Sequence, residues 1–79
     1  MKSVVVANEQ TDCVQALYVD GRLVAYDDTI YVSTVVEHVG SDPITILQED
    51  CDLPEFADWP ATLEELRGLQ VKLSADGKV

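Results

Sequence analysis

Residues 14–26 read VQALYVDGRLVAY, and this stretch decides the fold. Two runs of β-prone residues, Val14–Val19 and Arg22–Tyr26, flank the pair Asp20-Gly21. A two-residue turn of type I′ needs positive φ at both central positions, and Asp-Gly meets that need at low cost. The stretch therefore predicts a hairpin with Val19 opposite Arg22, Tyr18 opposite Leu23 and Leu17 opposite Val24. One face then carries Ala16, Tyr18, Leu23 and Ala25. The other carries Leu17, Val19, Val24 and Tyr26. Both faces are largely apolar, whereas a hairpin with one wet face alternates more cleanly. Either other elements cover both faces or a partner does, so the pattern also raises a homodimer through the hairpin sheet.

Outward from the hairpin, Val4-Val5-Val6 is a β-branched run suited to a buried strand over residues 3–7. Asn8 to Asp12 is polar and reads as a loop. Downstream, Val32, Val35, Val36 and Val39 recur at helical spacing within Thr29–Val39. Asp28 suits the N-cap of such a helix and Gly40 the position after its end. Asp42-Pro43 marks a turn, and Ile44–Leu47 reads as a strand. Gln48–Ala61 reads as an acidic loop holding Pro54 and Pro60. Thr62-Leu63-Glu64-Glu65 matches a capping box, from which a short helix should run to Gly68. Leu69, Val71 and Leu73 alternate with Gln70 and Lys72, the period of a strand. Ser74–Val79 reads as a tail.

These readings give a single small α+β domain over residues 1–79. It has a mostly antiparallel sheet of about four to five strands in the order β-β-β-α-β-α-β. One main helix packs on one face, and a second helix is short. At 79 residues there is room for one modest core.

Charge is the unusual quantity. The chain has 15 Asp and Glu against 5 Lys and Arg, a formal net charge of −10. No Lys or Arg lies between Arg22 and Arg67. That interval holds Asp27, Asp28, Glu37, Asp42, Glu49, Asp50, Asp52, Glu55, Asp58, Glu64 and Glu65. Phosphate-backbone affinity comes from Lys and Arg releasing counterions, so direct nucleic acid binding is not expected. Attraction to an anionic membrane is disfavoured in the same way. A basic protein surface is the partner such a chain attracts. The densest carboxylates, Glu49, Asp50, Asp52, Glu55 and Asp58, surround Phe56 and Trp59. Aromatic anchors within a charged rim follow the plan of protein interfaces. These seven residues are the candidate protein-binding site, and an inhibitor, antitoxin or immunity-type factor is the kind of protein they suggest.

Catalytic and metal motifs are not found. Glu49-Asp50-Cys51-Asp52 with Glu55 offers oxygens, but lacks the spacing and glycine of a calcium loop. Cys13, His38 and Cys51 are zinc-ligand types with no pair at ligand spacing. A cysteine nucleophile would have to recruit His38 and Asp42, and an acidic chain lacks the electropositive setting that activates a thiol. No enzyme activity, cofactor or metal is predicted; a structural or regulatory homodimer is the alternative function, and a small metal- or ligand-binding protein a weaker one. The apolar run after Lys2 is too short for a signal sequence, no stretch is long enough to span a membrane, and the two cysteines form no CxxC. A cytoplasmic, reducing setting is the expectation.

Overall fold

The computed structural model describes residues 3–40, 44–54 and 57–76, with side chains to residue 73. It is an α+β fold: a four-stranded mixed sheet with a helix on each face. Its elements in chain order are β1 (Val4–Glu9), β2 (Val14–Val19), β3 (Arg22–Asp27), α1 (Val32–Val39), β4 (Ile46–Cys51) and α2 (Leu63–Asp76). The strand order is β3-β2-β1-β4. Strand β1 runs antiparallel to β2, β2 antiparallel to β3, and β4 parallel to β1. The carboxyl ends of β1, β3 and β4 therefore lie together, beside the amino end of β2.

The hairpin forms as its turn residues predict. Asp20 and Gly21 both take positive φ, 51° and 82°. The Asp20 carboxylate accepts the Ser3 N–H at 2.9 Å, and the Asp20 N–H donates to the Ser3 carbonyl at 2.8 Å. This ties the turn to the start of β1. Val19 and Tyr18 pair with Arg22 and Leu23, but the register then slips, so that Leu17 faces Ala25 and Ala16 faces Tyr26. The extra residue is Val24. The slip exchanges the expected faces of Ala25 and Tyr26. Ala25 packs with Leu17, Val19, Val35 and Val39, while Tyr26 turns toward Trp59.

The two apolar faces of the hairpin have separate covers. Helix α1 buries Val35 and Val39 on Val4, Val6, Leu17 and Val19. Helix α2 buries Leu63 and Leu66 on Val5, Ala7, Ala16, Tyr18 and Cys51. Strands β1 and β2 are thus sandwiched, which explains their continuous apolar sequences. These covers lie over β1 and β2, while Val24 and Tyr26 of β3 remain exposed, 39% and 66%.

Several boundaries differ from the sequence reading. Helix α1 starts at Val32, and Tyr31, not Asp28, takes the N-cap position with extended backbone and no side-chain cap bond. An Asp28 cap would accept the N–H of Ile30 two residues on, but that N–H donates instead to the Gln15 side chain at 2.6 Å. Gly40 ends the helix at φ 81°, donating its N–H to Val36 at 2.8 Å. The Asp42-Pro43 turn lies outside the described residues. Strand β4 spans Ile46–Cys51, so Gln48–Cys51 is strand and not loop. An edge strand faces water, and polar residues there are ordinary.

The expected strand over Leu69–Leu73 is helix instead. Helix α2 continues through Gly68 to Asp76, and Leu69–Leu73 is helical. Leu63, Leu66, Leu69, Gln70 and Leu73 fall on one helical face and are its buried or half-buried positions. That stripe outweighs a three-residue alternation, and one glycine costs a helix only about 1 kcal/mol relative to alanine. The Thr62 hydroxyl accepts the Glu65 N–H at 3.2 Å, one half of the capping box. No helix among the described residues is long and apolar enough to cross a membrane.

Candidate functional site

The end of the sheet where β1, β3 and β4 finish is built from three connections: Gln10–Cys13, Asp28–Tyr31 and Asp52–Thr62. Each is fixed by local polar bonds. In the first, the Glu9 carboxylate accepts the Asp12 N–H and the Thr11 N–H, both at 2.7 Å. Glu9 is buried, and these amides hold its carboxyl below the usual carboxylate range. Cys13 completes this turn at φ 57°.

In the third connection, the chain leaves β4 and crosses the end of the sheet toward β3. The Gln70 side chain holds its start at Asp52. Leu53 and Trp59 pack on the α2-side core. The Tyr18 hydroxyl donates to the Pro60 carbonyl at 2.8 Å. Burial, with Cys51 and Glu65 nearby, pushes the Tyr18 phenol up to about 12. The segment then docks on β3: the Leu23 N–H donates to Ala61 at 2.9 Å, and the Leu63 N–H to Gly21 at 2.8 Å.

This path brings Trp59 to Tyr26. The two aromatics line an open cleft of 730 Å³ together with Asp27, Asp28 and Asp58. Trp59 also lines a 520 Å³ cleft on its other side, beside Glu9, Asp12 and Pro54. Among the described residues, neither cleft is lined by Lys or Arg.

The predicted site residues are therefore divided. Asp58 and Trp59 lie in the aromatic cleft. Glu49 and Asp50 are consecutive on β4 and so point to opposite faces. Glu49 is not left uncompensated: it forms an ion pair with Arg67 of α2, whose guanidinium it holds above its ordinary value. Asp50 accepts the Gln10 side-chain amide at 3.1 Å. Asp52 stands where Gln70 anchors the loop. Glu55 and Phe56 lie outside the described residues. Tyr26, Asp27 and Asp28 were not among the predicted residues. Their signal was present: they end the hairpin and open the stretch without Lys or Arg.

The titratable groups most strongly shifted among the described residues, Cys51 and Tyr18, lie in the α2-side core. Burial raises the Cys51 thiol to about 11, with the carboxylates of Glu9, Asp52, Asp50 and Glu49 adding to the rise. Such a thiol is the opposite of an activated nucleophile. Cys13 is exposed and free, and His38 sits in the last turn of α1. Asp42 lies outside the described residues. Among the described residues no group of three or more His, Cys, Asp or Glu is placed to hold a metal ion.

In comparison with known proteins, no family model matches the chain, and no curated protein or solved structure matches it significantly.

Proposed function

We propose that this protein is a small acidic binding module that engages a basic protein surface, as an inhibitor, antitoxin or immunity-type factor does. The observation that supports this reading is the cleft walled by Tyr26 and Trp59 with Asp27, Asp28 and Asp58 on its rim. A guanidinium or ammonium group is attracted to the face of an aromatic ring and to carboxylates. A cleft offering both, with no cation lining it among the described residues, favours an inserted Arg or Lys side chain. The negative charge of the whole chain adds attraction at a distance, which acts mainly on the association rate.

Trp59 is the only tryptophan, so its fluorescence reports on this cleft directly. Titration with an arginine-rich peptide should change that emission, with an affinity that falls as salt is raised. The triple change Asp27→Asn, Asp28→Asn and Asp58→Asn should weaken the response without altering the fold. Binding by the triple variant equal to that of the parent chain would sink the reading, as would a response insensitive to salt.

A further inference from the structure

The sheet has two edges, and the chain treats them differently. The β3 edge is closed at its start by Ala61–Leu63, and its register is broken opposite Leu17 and Tyr18. The β4 edge has neither device. All six residues of β4 pair with β1 in unbroken register, and no strand lies on its outer side among the described residues. Strand β4 carries no proline, lysine or bulge, the usual guards of an exposed edge.

The direction of its backbone groups follows from one bond. The Gln10 N–H donates to the Cys51 carbonyl at 3.2 Å, so the Cys51 carbonyl points toward β1. Alternation then turns the amides of Glu49 and Leu47 toward β1, and those of Ile46, Gln48 and Asp50 away from it. One step further on, the N–H and C=O of Asp52 are both taken by the Gln70 side-chain amide, at 2.8 Å each. A side chain there makes the pair of bonds that a neighbouring strand would make. The open span is thus Ile46–Asp50, bounded at its carboxyl end by Gln70.

Charge decides what fits this span. Ile46 and Leu47 are exposed apolar residues at one end, and Asp50 is an exposed carboxylate at the other. In a second copy pairing antiparallel over the same span, Asp50 would fall opposite Ile46 and Glu49 opposite Leu47. Carboxylates of both copies would enter the interface with no new cation, between chains of −10 each. Self-pairing is therefore disfavoured.

We propose that the outer edge of β4 accepts an extended segment of a basic protein as an added antiparallel strand. That segment carries Lys or Arg in its amino-terminal half, opposite Asp50, and aliphatic residues in its carboxyl-terminal half, opposite Ile46. Backbone bonds to Gln48 and Asp50 supply the pairing, and the side chains set direction and register. The inference rests on the basic-partner reading above. It adds a second contact at a separate place, because the aromatic cleft lies at the end of the sheet, lined by Val14, Tyr26 and Trp59, and not along the outer edge of β4.

The probe is a ten-residue peptide alternating Thr with Lys in its first half and Thr with Val in its second, titrated into the full chain and followed by amide NMR. Pairing predicts shifts and slowed exchange at the Gln48 and Asp50 amides, with little change at Leu47 and Glu49. N-methylating alternate residues of the peptide gives two versions. One should lose affinity by roughly tenfold or more, while the other binds like the parent peptide, because only one set of its N–H groups can face β4. Gln48→Pro removes an outward N–H and leaves the β1 ladder intact, so it should weaken binding by a similar factor with the far-UV spectrum unchanged. Equal binding of the two methylated peptides overturns the strand pairing. So does a response confined to Tyr26 and Trp59, although that result leaves the basic-partner reading standing. Peptide-free dimers that disappear with Gln48→Pro overturn the choice of occupant.

Discussion

The Gln70 side-chain amide accepts the Asp52 N–H and donates to the Asp52 carbonyl, each at 2.8 Å, and so joins α2 to the exit of β4. The same amide nitrogen also reaches the Leu66 carbonyl, one helical turn back, at 3.3 Å. Gln70→Ala removes all three bonds from a solvent-accessible site. Urea denaturation should show a loss of about 1 kcal/mol, and hydrogen exchange should quicken at the Asp52 amide. An unchanged Asp52 rate would mean that this pair does not hold the loop.

Gly68 lies inside α2, and a methyl group added to it would meet no atom within 4 Å. Gly68→Ala should therefore stabilise the protein by about 1 kcal/mol, since it restricts the unfolded chain at no steric cost. A matching rise in the urea midpoint checks this. If Leu69–Leu73 were a strand after a helix ending at Gly68, the same change would destabilise.

The two thiols should react at very different rates. Cys13 is exposed and Cys51 is buried with its ionisation suppressed. Titration with a thiol reagent at neutral pH should modify one group rapidly in the native protein and both in denaturant. Fast modification of both in the native state would contradict the packing of Cys51 against α2.

Stability should fall at both ends of the pH scale for separate reasons. Glu9 has a lowered folded pKa, so its contribution is complete above its unfolded value of 4.5 and is lost as pH falls through the folded value. Cys51 and Tyr18 are raised, from 9.0 to about 11 and from 10.0 to about 12. Their contributions are complete below 9.0 and 10.0 and decline as pH rises toward the folded values. Urea midpoints measured against pH should show both flanks. Glu9→Gln should flatten the acid side, and Tyr18→Phe the alkaline side above 10.0.

The hairpin was legible because Asp20-Gly21 acts through local backbone preference alone. Its register was legible only near the turn, since the slip at Val24 depends on which residues α1 and α2 cover. Helix α1 was legible from its valine stripe and Gly40. Its start was not, because the Ile30 N–H that an Asp28 cap would accept goes to Gln15, a residue of β2 distant in sequence. Gln48-Glu49-Asp50 resembled a loop because an edge strand can be polar on both faces. Leu69-Val71-Leu73 fitted both periods, and only the burial of Leu63 and Leu66 on the sheet separates them. The candidate site was half legible. Asp58 and Trp59 stood out by composition, but their meeting with Tyr26 arises from a loop that returns across the sheet, which no local pattern encodes.

Because β1 and β2 separate the apolar interior into an α1 side and an α2 side, the molecule contains two small cores with one shared wall. Separate cores of this kind predict that one helix can open locally while the opposite core stays closed. The amides that pair β1 with β2 should then be the last to exchange with solvent, and those of α1, eight residues long and without a side-chain cap, among the first. The acidic end is carried on both sides: Leu53 and Trp59 pack on the α2-side core while Asp28–Tyr31 leads into α1, so opening of α1 should reach one wall of the cleft and leave the other in place.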